Sequence, residues 1–379
     1  MNWRVPLADL NYALDEEQAI RDVLWSRWLT MGAITQRFEH EFAAFLGVKH
    51  ALAVSNATVA LHLALLALDI GPGDEVIAPA LTFVATTNAV LYTGAEVRFA
   101  DICGAHDLNI APAEIEKQIT PRTRAIIVVH YGGYPCQMEC IAEIASRHKL
   151  AIIEDAAHAP DASLDGTVLG TWGVAGCFSF FGNKNLSTGE GGMLITNRDD
   201  IADRVRLLRS HGMTTLTWDR HQGHASTYDV TDLGYNYRID ELRSALGRAQ
   251  LGKLRAGNMR RQAITEKYWE RLSDTALEFP FRNALGISAH HLFPILLPEG
   301  CDRARFMDAL RAEEIQTSIH YPPIHLFTYY RNRYPAVLLP ITEALAARQV
   351  TLPLYPTMSD AQIELVIAAT RNALNAVSD

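Results

Sequence analysis

Hydrophobic residues in the first half of the chain fall into short runs separated by longer helical stretches. The runs are of one kind: Ile126-Ile127-Val128-Val129 and Ala151-Ile152-Ile153 are apolar at successive positions, not at alternate ones. A strand with one wet face alternates, whereas a strand buried on both faces need not. With Gly71-Pro72-Gly73-Asp74 as a turn, the pattern predicts strands at 51–55, 75–80, 96–101, 124–130, 151–155, 176–181 and 192–196. Helices are predicted at 58–69, 83–92, 111–118 and 137–149. Strand–helix–strand order implies an α/β fold with a mostly parallel central sheet flanked by helices. Ligands collect at the carboxyl ends of such strands. Ser55, His130 and Asp155 all stand at predicted ends, so one rim would gather them.

Beyond residue 236 the character changes. Helical patterns over 239–254 and 258–272 lead into a strand at 291–297, a helix at 303–315 and a last helix at 359–374. The 379 residues exceed the roughly 100–200 of a usual domain. Two units are expected: a large one over 1–250 and a smaller α+β one over 251–379.

Composition narrows the function classes. Hydrophobic residues make up 49% and charged residues 20%, so long disordered stretches are not expected. The net charge is -9 and no basic stripe interrupts it, which argues against a nucleic-acid partner. The five cysteines are odd in number and irregular in spacing, which suits a reducing compartment. Cys136 and Cys140 lack a second pair at ligand spacing, so no metal site is expected. The first residues show no secretory pattern, and no run of about 18 uncharged apolar residues suggests a membrane span. A soluble cytoplasmic protein is the expectation.

Four features carry candidate chemistry. Lys184 lies just past an apolar strand in Phe178-Ser179-Phe180-Phe181-Gly182-Asn183-Lys184, ahead of Gly189-Glu190-Gly191-Gly192. Desolvation lowers a lysine pKa, and a neutral amine can form an imine. Asp155 ends a buried strand, where a carboxylate could pair with a protonated pyridine nitrogen. Ser55-Asn56-Ala57-Thr58 opens an apolar helix whose free N–H groups would attract a phosphate. Phe83, taken to begin the next helix, could stack on a flat ring. Singly, these read as a surface-loop lysine, a loop-capping acid, an ordinary helix cap and a core phenylalanine.

Their order along the chain changes that reading. Phosphate cradle, stacking aromatic, acid and lysine follow one another as in the aspartate-aminotransferase-like fold. More specifically, the sequence resembles the DegT/DnrJ/EryC1/StrS family of sugar aminotransferases over nearly its whole length. The matching segments are Ser55-Asn56-Ala57-Thr58-Val59-Ala60-Leu61-His62, Glu154-Asp155-Ala156-Ala157-His158, the Lys184 and Gly189–Gly192 region, Leu233-Gly234-Tyr235-Asn236-Tyr237-Arg238, and His320-Tyr321-Pro322-Pro323-Ile324-His325.

The resemblance implies a pyridoxal 5'-phosphate (PLP) enzyme of fold type I. Lys184 would hold PLP as a Schiff base and move the proton. Asp155 would bind the pyridinium nitrogen, Phe83 would stack on the ring, and His158 would lie near the phenolic oxygen. The family often has glutamine at that last position. Thr58, the Val59 N–H and Ser179 would hold the phosphate. Asn236 would reach it from a second subunit, which implies a homodimer with shared active sites. Arg238, His320, Tyr321 and His325 would border the substrate, with His211 a weaker candidate wall residue. Glutamate or glutamine would donate the amino group to a nucleotide-linked keto-sugar, a keto-cyclitol being the alternative acceptor.

Two other readings weigh less. Related sugar dehydratases carry histidine where Lys184 stands. A non-catalytic PLP-binding regulator would need a further module, and the pattern starts near residue 20. No strand leads into a Gly-x-Gly-x-x-Gly turn, which removes a Rossmann dehydrogenase. The pair His290-His291 reads as a strand edge without a ligand pattern. Acceptor choice is expected to lie with loops near 210–230 and 315–330.

Overall fold

The computed structural model describes residues 3–215 and 227–378, with Trp218 and Gly223 from the stretch between them. The strands β1 (His50–Val54), β2 (Glu75–Pro79), β3 (Glu96–Ala100), β6 (Thr123–Val129), β7 (Ala151–Asp155), β10 (Ala175–Ser179) and β11 (Gly192–Thr196) form one sheet. Two small hairpins, β4 (Ile102–Gly104) with β5 (Asp107–Ile110) and β8 (Ser163–Leu164) with β9 (Thr167–Val168), stand outside it. The sheet order is β1-β11-β10-β7-β6-β2-β3. Pairings from β10 to β3 are parallel, and β11 is antiparallel to both its neighbours. The expected α/β architecture with a mostly parallel sheet is therefore observed.

The unbroken apolar runs mean what they suggested. In β6, Ile126 and Val128 belong to a core layer with Phe38, Phe42, Phe178 and Phe180 on one side of the sheet. Ala125 and Ile127 belong to the opposite layer, with Leu52, Leu61, Ile153 and Leu194. Neighbouring positions on one strand thus face two different helical coats. Burying each such Ile or Val side chain is worth about 1.5–3 kcal/mol.

The reversed direction of β11 matters for function. Its first residue, Gly192, pairs with Val54 at the end of β1 and with Ser179 at the end of β10. The loop 180–191 is thereby delivered to the same rim as the carboxyl ends of the parallel strands. The fit is close: a Cβ on Gly192 would sit 2.5 Å from the Asn56 carbonyl carbon and 2.7 Å from the Ala57 nitrogen.

The C-terminal region forms a separate apolar layer. The antiparallel pair β12 (Phe293–Leu296) and β13 (Gln349–Leu352) packs with the helices Arg303–Ala312 and Asp360–Ser378. The two helical patterns at 239–254 and 258–272 are one continuous helix, Glu241–Arg271, which runs through residue 250. Val5 is fully buried in this C-terminal layer and bridges to Ile315, so the first residues pack against the last third of the chain. Other differences are small. Phe83 precedes its helix, Ala85–Tyr92, instead of opening it. The helix predicted at 303–315 ends at Ala312.

Gly192→Ala drives a methyl group into backbone that cannot rotate aside, and is expected to cost about 1–3 kcal/mol. Gly252 is exposed within the long helix and a Cβ there meets nothing within 4 Å. Gly252→Ala should instead stabilise by roughly 0.5–1 kcal/mol. Urea midpoints of the two variants, measured side by side, should move in opposite directions.

Candidate active site

The rim encloses a cavity of about 460 Å³ lined by residues from several strand ends. That volume falls within the roughly 300–1,000 Å³ range of small-molecule sites. Asn56, Thr58, Phe83, Asp155, His158, Ser179, Lys184, His320 and Tyr321 all face it.

Asp155 reaches the cavity because it is the last residue of β7, in the middle of the sheet. Its side chain is only 6% exposed. Thr86 donates to Oδ2 at 2.7 Å, and the Ala157 N–H donates to Oδ1 at 3.3 Å. A carboxylate has about four lone-pair sites, so its cavity side is open to a further donor. Burial raises its pKa; Thr86, Ala157 and the nearby Lys184 charge oppose the rise. A protonated aromatic nitrogen would suit this group.

Lys184 lies in the loop between β10 and β11 and is half-buried. Desolvation brings its pKa down to about 8, against the opposing pull of Asp155. A useful fraction of the amine is therefore neutral near physiological pH, as a nucleophile requires.

Three histidines surround this pair, and all are kept neutral. His158 Nδ1 accepts from the Gly132 N–H at 3.3 Å, so the ring proton sits on Nε2, 3.1 Å from the Tyr321 hydroxyl. Burial, with the Lys184 charge, holds His158 well below the usual imidazole range. His320 is lowered to about 4 for the same two reasons, and its Nδ1 lies 3.0 Å from Thr351 Oγ1. Burial raises the Tyr321 pKa and keeps its hydroxyl protonated. The third ring, His291, was read from sequence as a mere strand edge. It lies 4.4 Å from His158 and feels the Lys184 charge. No local signal could have found it, because the C-terminal region carries it in from more than a hundred residues away. Thr86, the donor to Asp155, was missed because it meets that carboxylate from a separate helix, 69 positions earlier in the chain.

At the other side, Asn56 caps the helix Ala57–Ala67, accepting the Val59 N–H at 3.0 Å. The Val59 N–H expected to serve a phosphate is thus engaged by the cap. Thr58, Ser179 and the remaining free N–H groups of the first turn are the donors left for an anion. Phe83 is 58% exposed at the cavity, with its ring 6.1 Å from that of Tyr321.

Besides Val59 and the weaker candidate His211, three expected residues do not line the cavity. His325 turns away in the short turn Ile324–Leu326, where Nε2 meets Glu343 at 3.0 Å and the ring packs 6.3 Å from Phe99. Arg238 lies beside Arg209 on the segment that follows Tyr237, whose N–H bonds the Arg209 carbonyl at 3.0 Å. Asn236 is exposed and bridges to Ser210. Of the loop near 210–230, residues 216–217, 219–222 and 224–226 lie outside the described residues.

The family model for the DegT/DnrJ/EryC1/StrS aminotransferase family matches residues 12–371. The chain belongs to this family. Its relatives include the spore coat polysaccharide biosynthesis protein SpsC of Bacillus subtilis (strain 168), 42% identical over 366 residues, 94% of each chain. Among solved structures it is similar to Helicobacter pylori PseC, an aminotransferase involved in the biosynthesis of pseudoaminic acid. That match has a TM-score of 0.92 at 28% identity, covering 98% of this chain and 99% of PseC. S. venezuelae DesV matches with a TM-score of 0.90 at 35% identity, covering 98% and 99%. Membership makes the chain an aminotransferase of the PLP-dependent kind, with the fold of the sugar aminotransferases.

Thr86→Val removes a side-chain donor from a buried carboxylate, the one it has among the described residues, and should cost about 1–3 kcal/mol near neutral pH. Asp155 already has a raised folded pKa, and the variant raises it further. The loss is therefore full above that pKa and shrinks as acid protonates the group. Urea unfolding followed from neutral pH down through the acid range measures it. A loss that stays constant over the whole range would show that Thr86 does not support the charge.

Proposed function

We propose that the protein transfers an amino group from glutamate or glutamine to a keto-sugar carried on a nucleotide, using pyridoxal 5'-phosphate held by Lys184. The observation that carries this reading is the pairing of a desolvated amine with a buried, partly unsatisfied carboxylate across one cavity. The names of SpsC and PseC, which point to polysaccharide and pseudoaminic acid biosynthesis, support a sugar-derived acceptor. A keto-cyclitol acceptor is the second reading, since the residues around the cofactor do not encode the acceptor.

The residues present suit the cofactor. Asp155 would meet the pyridine nitrogen, Phe83 would cover a ring face, and Thr58 with Ser179 would take the phosphate at the helix start. Bound there, PLP supplies an electron sink for the bond broken at the amino-bearing carbon. Asp155 keeps the ring nitrogen protonated, which its buried, electron-rich carboxylate favours. Lys184 takes the proton from one carbon and returns it to another, and a pKa near 8 lets it do both. The neutral His158, His320 and Tyr321 present donors and acceptors without competing for that proton. His320 and Tyr321 border the acceptor, with the exposed Asn236 and the half-buried Arg238 available to a neighbouring subunit's site. In this reading the working unit is a homodimer with shared sites, acting in the cytoplasm. Within each chain a larger cofactor-bearing unit joins a smaller C-terminal one near residue 250, through the continuous helix.

Protein loaded with PLP should lose its long-wavelength absorbance when glutamate or glutamine is added, and a suitable keto-sugar should restore it. Lys184→Ala should retain part of its affinity for the cofactor while transamination falls by at least about a thousandfold. Near-normal turnover in that variant, or absorbance indifferent to every donor, would remove the proposal.

A further inference from the structure

His130 stands at a strand end, as the sequence suggested, yet its ring is fully buried and does not line the cavity. Its N–H donates to the Asp155 carbonyl at 3.4 Å, and its own carbonyl accepts the Gly133 N–H at 3.0 Å. It opens the turn Tyr131–Gly133, and that turn touches much of the site. The Gly132 N–H sets the tautomer of His158. The Tyr131 hydroxyl donates to the His320 carbonyl. The Gly132 carbonyl accepts the His291 N–H at 2.8 Å and the Leu292 N–H at 3.2 Å, which ties in the C-terminal region. There is little slack: a Cβ on Gly133 would sit 2.6 Å from the His158 carbonyl oxygen.

Both nitrogens of the His130 ring are engaged. A backbone N–H only donates, so the Cys136 N–H, 3.2 Å from Nδ1, makes that nitrogen the acceptor and places the ring proton on Nε2. Nε2 donates to Glu154 Oε2 at 3.0 Å. Glu154 is fully buried and also accepts the Gly170 N–H at 2.6 Å and the Gly173 N–H at 2.8 Å. Gly173 comes this close only because it lacks a side chain: a Cβ there would sit 2.2 Å from the Ile152 carbonyl oxygen. Glu154 and Asp155 are successive residues of β7, so their side chains leave the strand on opposite faces. The imidazole is thus a strut. One end meets the chain just past the turn, and the other meets the last two residues of β7.

We propose that His130 is a positioning residue for the active site: its ring locks the turn Tyr131–Gly133 to the end of β7, so that Asp155, His158 and the His320–Tyr321 segment keep one arrangement. The inference rests on the aminotransferase reading of the cavity and adds a residue that stands behind it. Imidazole suits the task because it carries an acceptor and a donor on one rigid ring. Loss of either hydrogen bond loosens the turn, and with it the Gly132 N–H that keeps the His158 proton on Nε2. A displacement of roughly 1 Å among reacting groups can slow a reaction about a hundredfold.

Two isosteres separate the ends of the strut. Glutamine can replace the Nε2 donor to Glu154 but not the Nδ1 acceptor, and asparagine can replace the acceptor but not the donor. His130→Gln and His130→Asn are compared as full-length, PLP-loaded proteins, with rates taken per bound PLP so that lost folding does not count. At saturating donor, the absorbance change should be roughly ten- to a hundredfold slower in both, while the half-saturating donor concentration stays close to that of wild type. ¹⁵N NMR of labelled histidines gives a second readout, the His158 signal being the one lost in His158→Asn. Wild type should show a neutral ring protonated at Nε2, and both variants should show a mixture of the two tautomers. A wild-type rate per bound PLP, or a His158 ring still protonated at Nε2 alone, overturns the proposal if found in either variant. A wild-type protein that binds PLP but answers no donor would instead count against the aminotransferase reading, and the NMR comparison would still decide whether His130 positions His158.

Discussion

An amine and a carboxylate are held in one partly dry cavity, and most of the architecture around them serves to keep both there. Each is costly to bury alone, because the charged form loses its water. Together they offset one another: the Asp155 charge resists the fall in the Lys184 pKa, and the Lys184 charge resists the rise in that of Asp155. Neither compensation is complete. The result is an amine that can be neutral and a carboxylate with spare accepting capacity, which is the condition a cationic ring nitrogen would relieve.

That condition depends on strand direction. Asp155 comes to the rim at the end of a parallel strand, while Lys184 comes in the loop that precedes a reversed one. Had β11 run parallel to β10, the loop carrying Lys184 would have had to cross to the far side of the sheet. Gly192 is the point where the reversal is accommodated, since the Asn56–Ala57 backbone comes so close that a Cβ there would sit 2.5 Å from it. The polar shell follows the same economy of charge. His158, His291 and His320 crowd around one lysine yet are neutral, so they add hydrogen-bonding direction without electrostatic repulsion.

Much of this was legible before any coordinates. Consecutive apolar positions in β6 and β7 identified strands covered on both faces, because each neighbour must meet its own hydrophobic layer. The strand ends then located Ser55, His130 and Asp155, the family resemblance added Ser179, and chain order tied the helix start at Asn56 and the acid to Lys184. Recognition of the family rested on the same segments. The helix Glu241–Arg271 was seen as two pieces because its glycines and mixed polarity weaken a periodic signal that tertiary contacts on several sides sustain.

Local pattern, then, decided which residues lie at the rim, since strand periodicity and turn residues act within a few positions of the chain. Only the folded chain decided which distant side chains complete the site. Thr86 meets Asp155 across 69 positions. His291 meets Asn185 across 106, while His325, only four residues beyond Tyr321, is turned towards Glu343 and away from the cavity. Such contacts are set by how layers pack and how amides pair. Those are properties of three-dimensional proximity that no short window of residues contains.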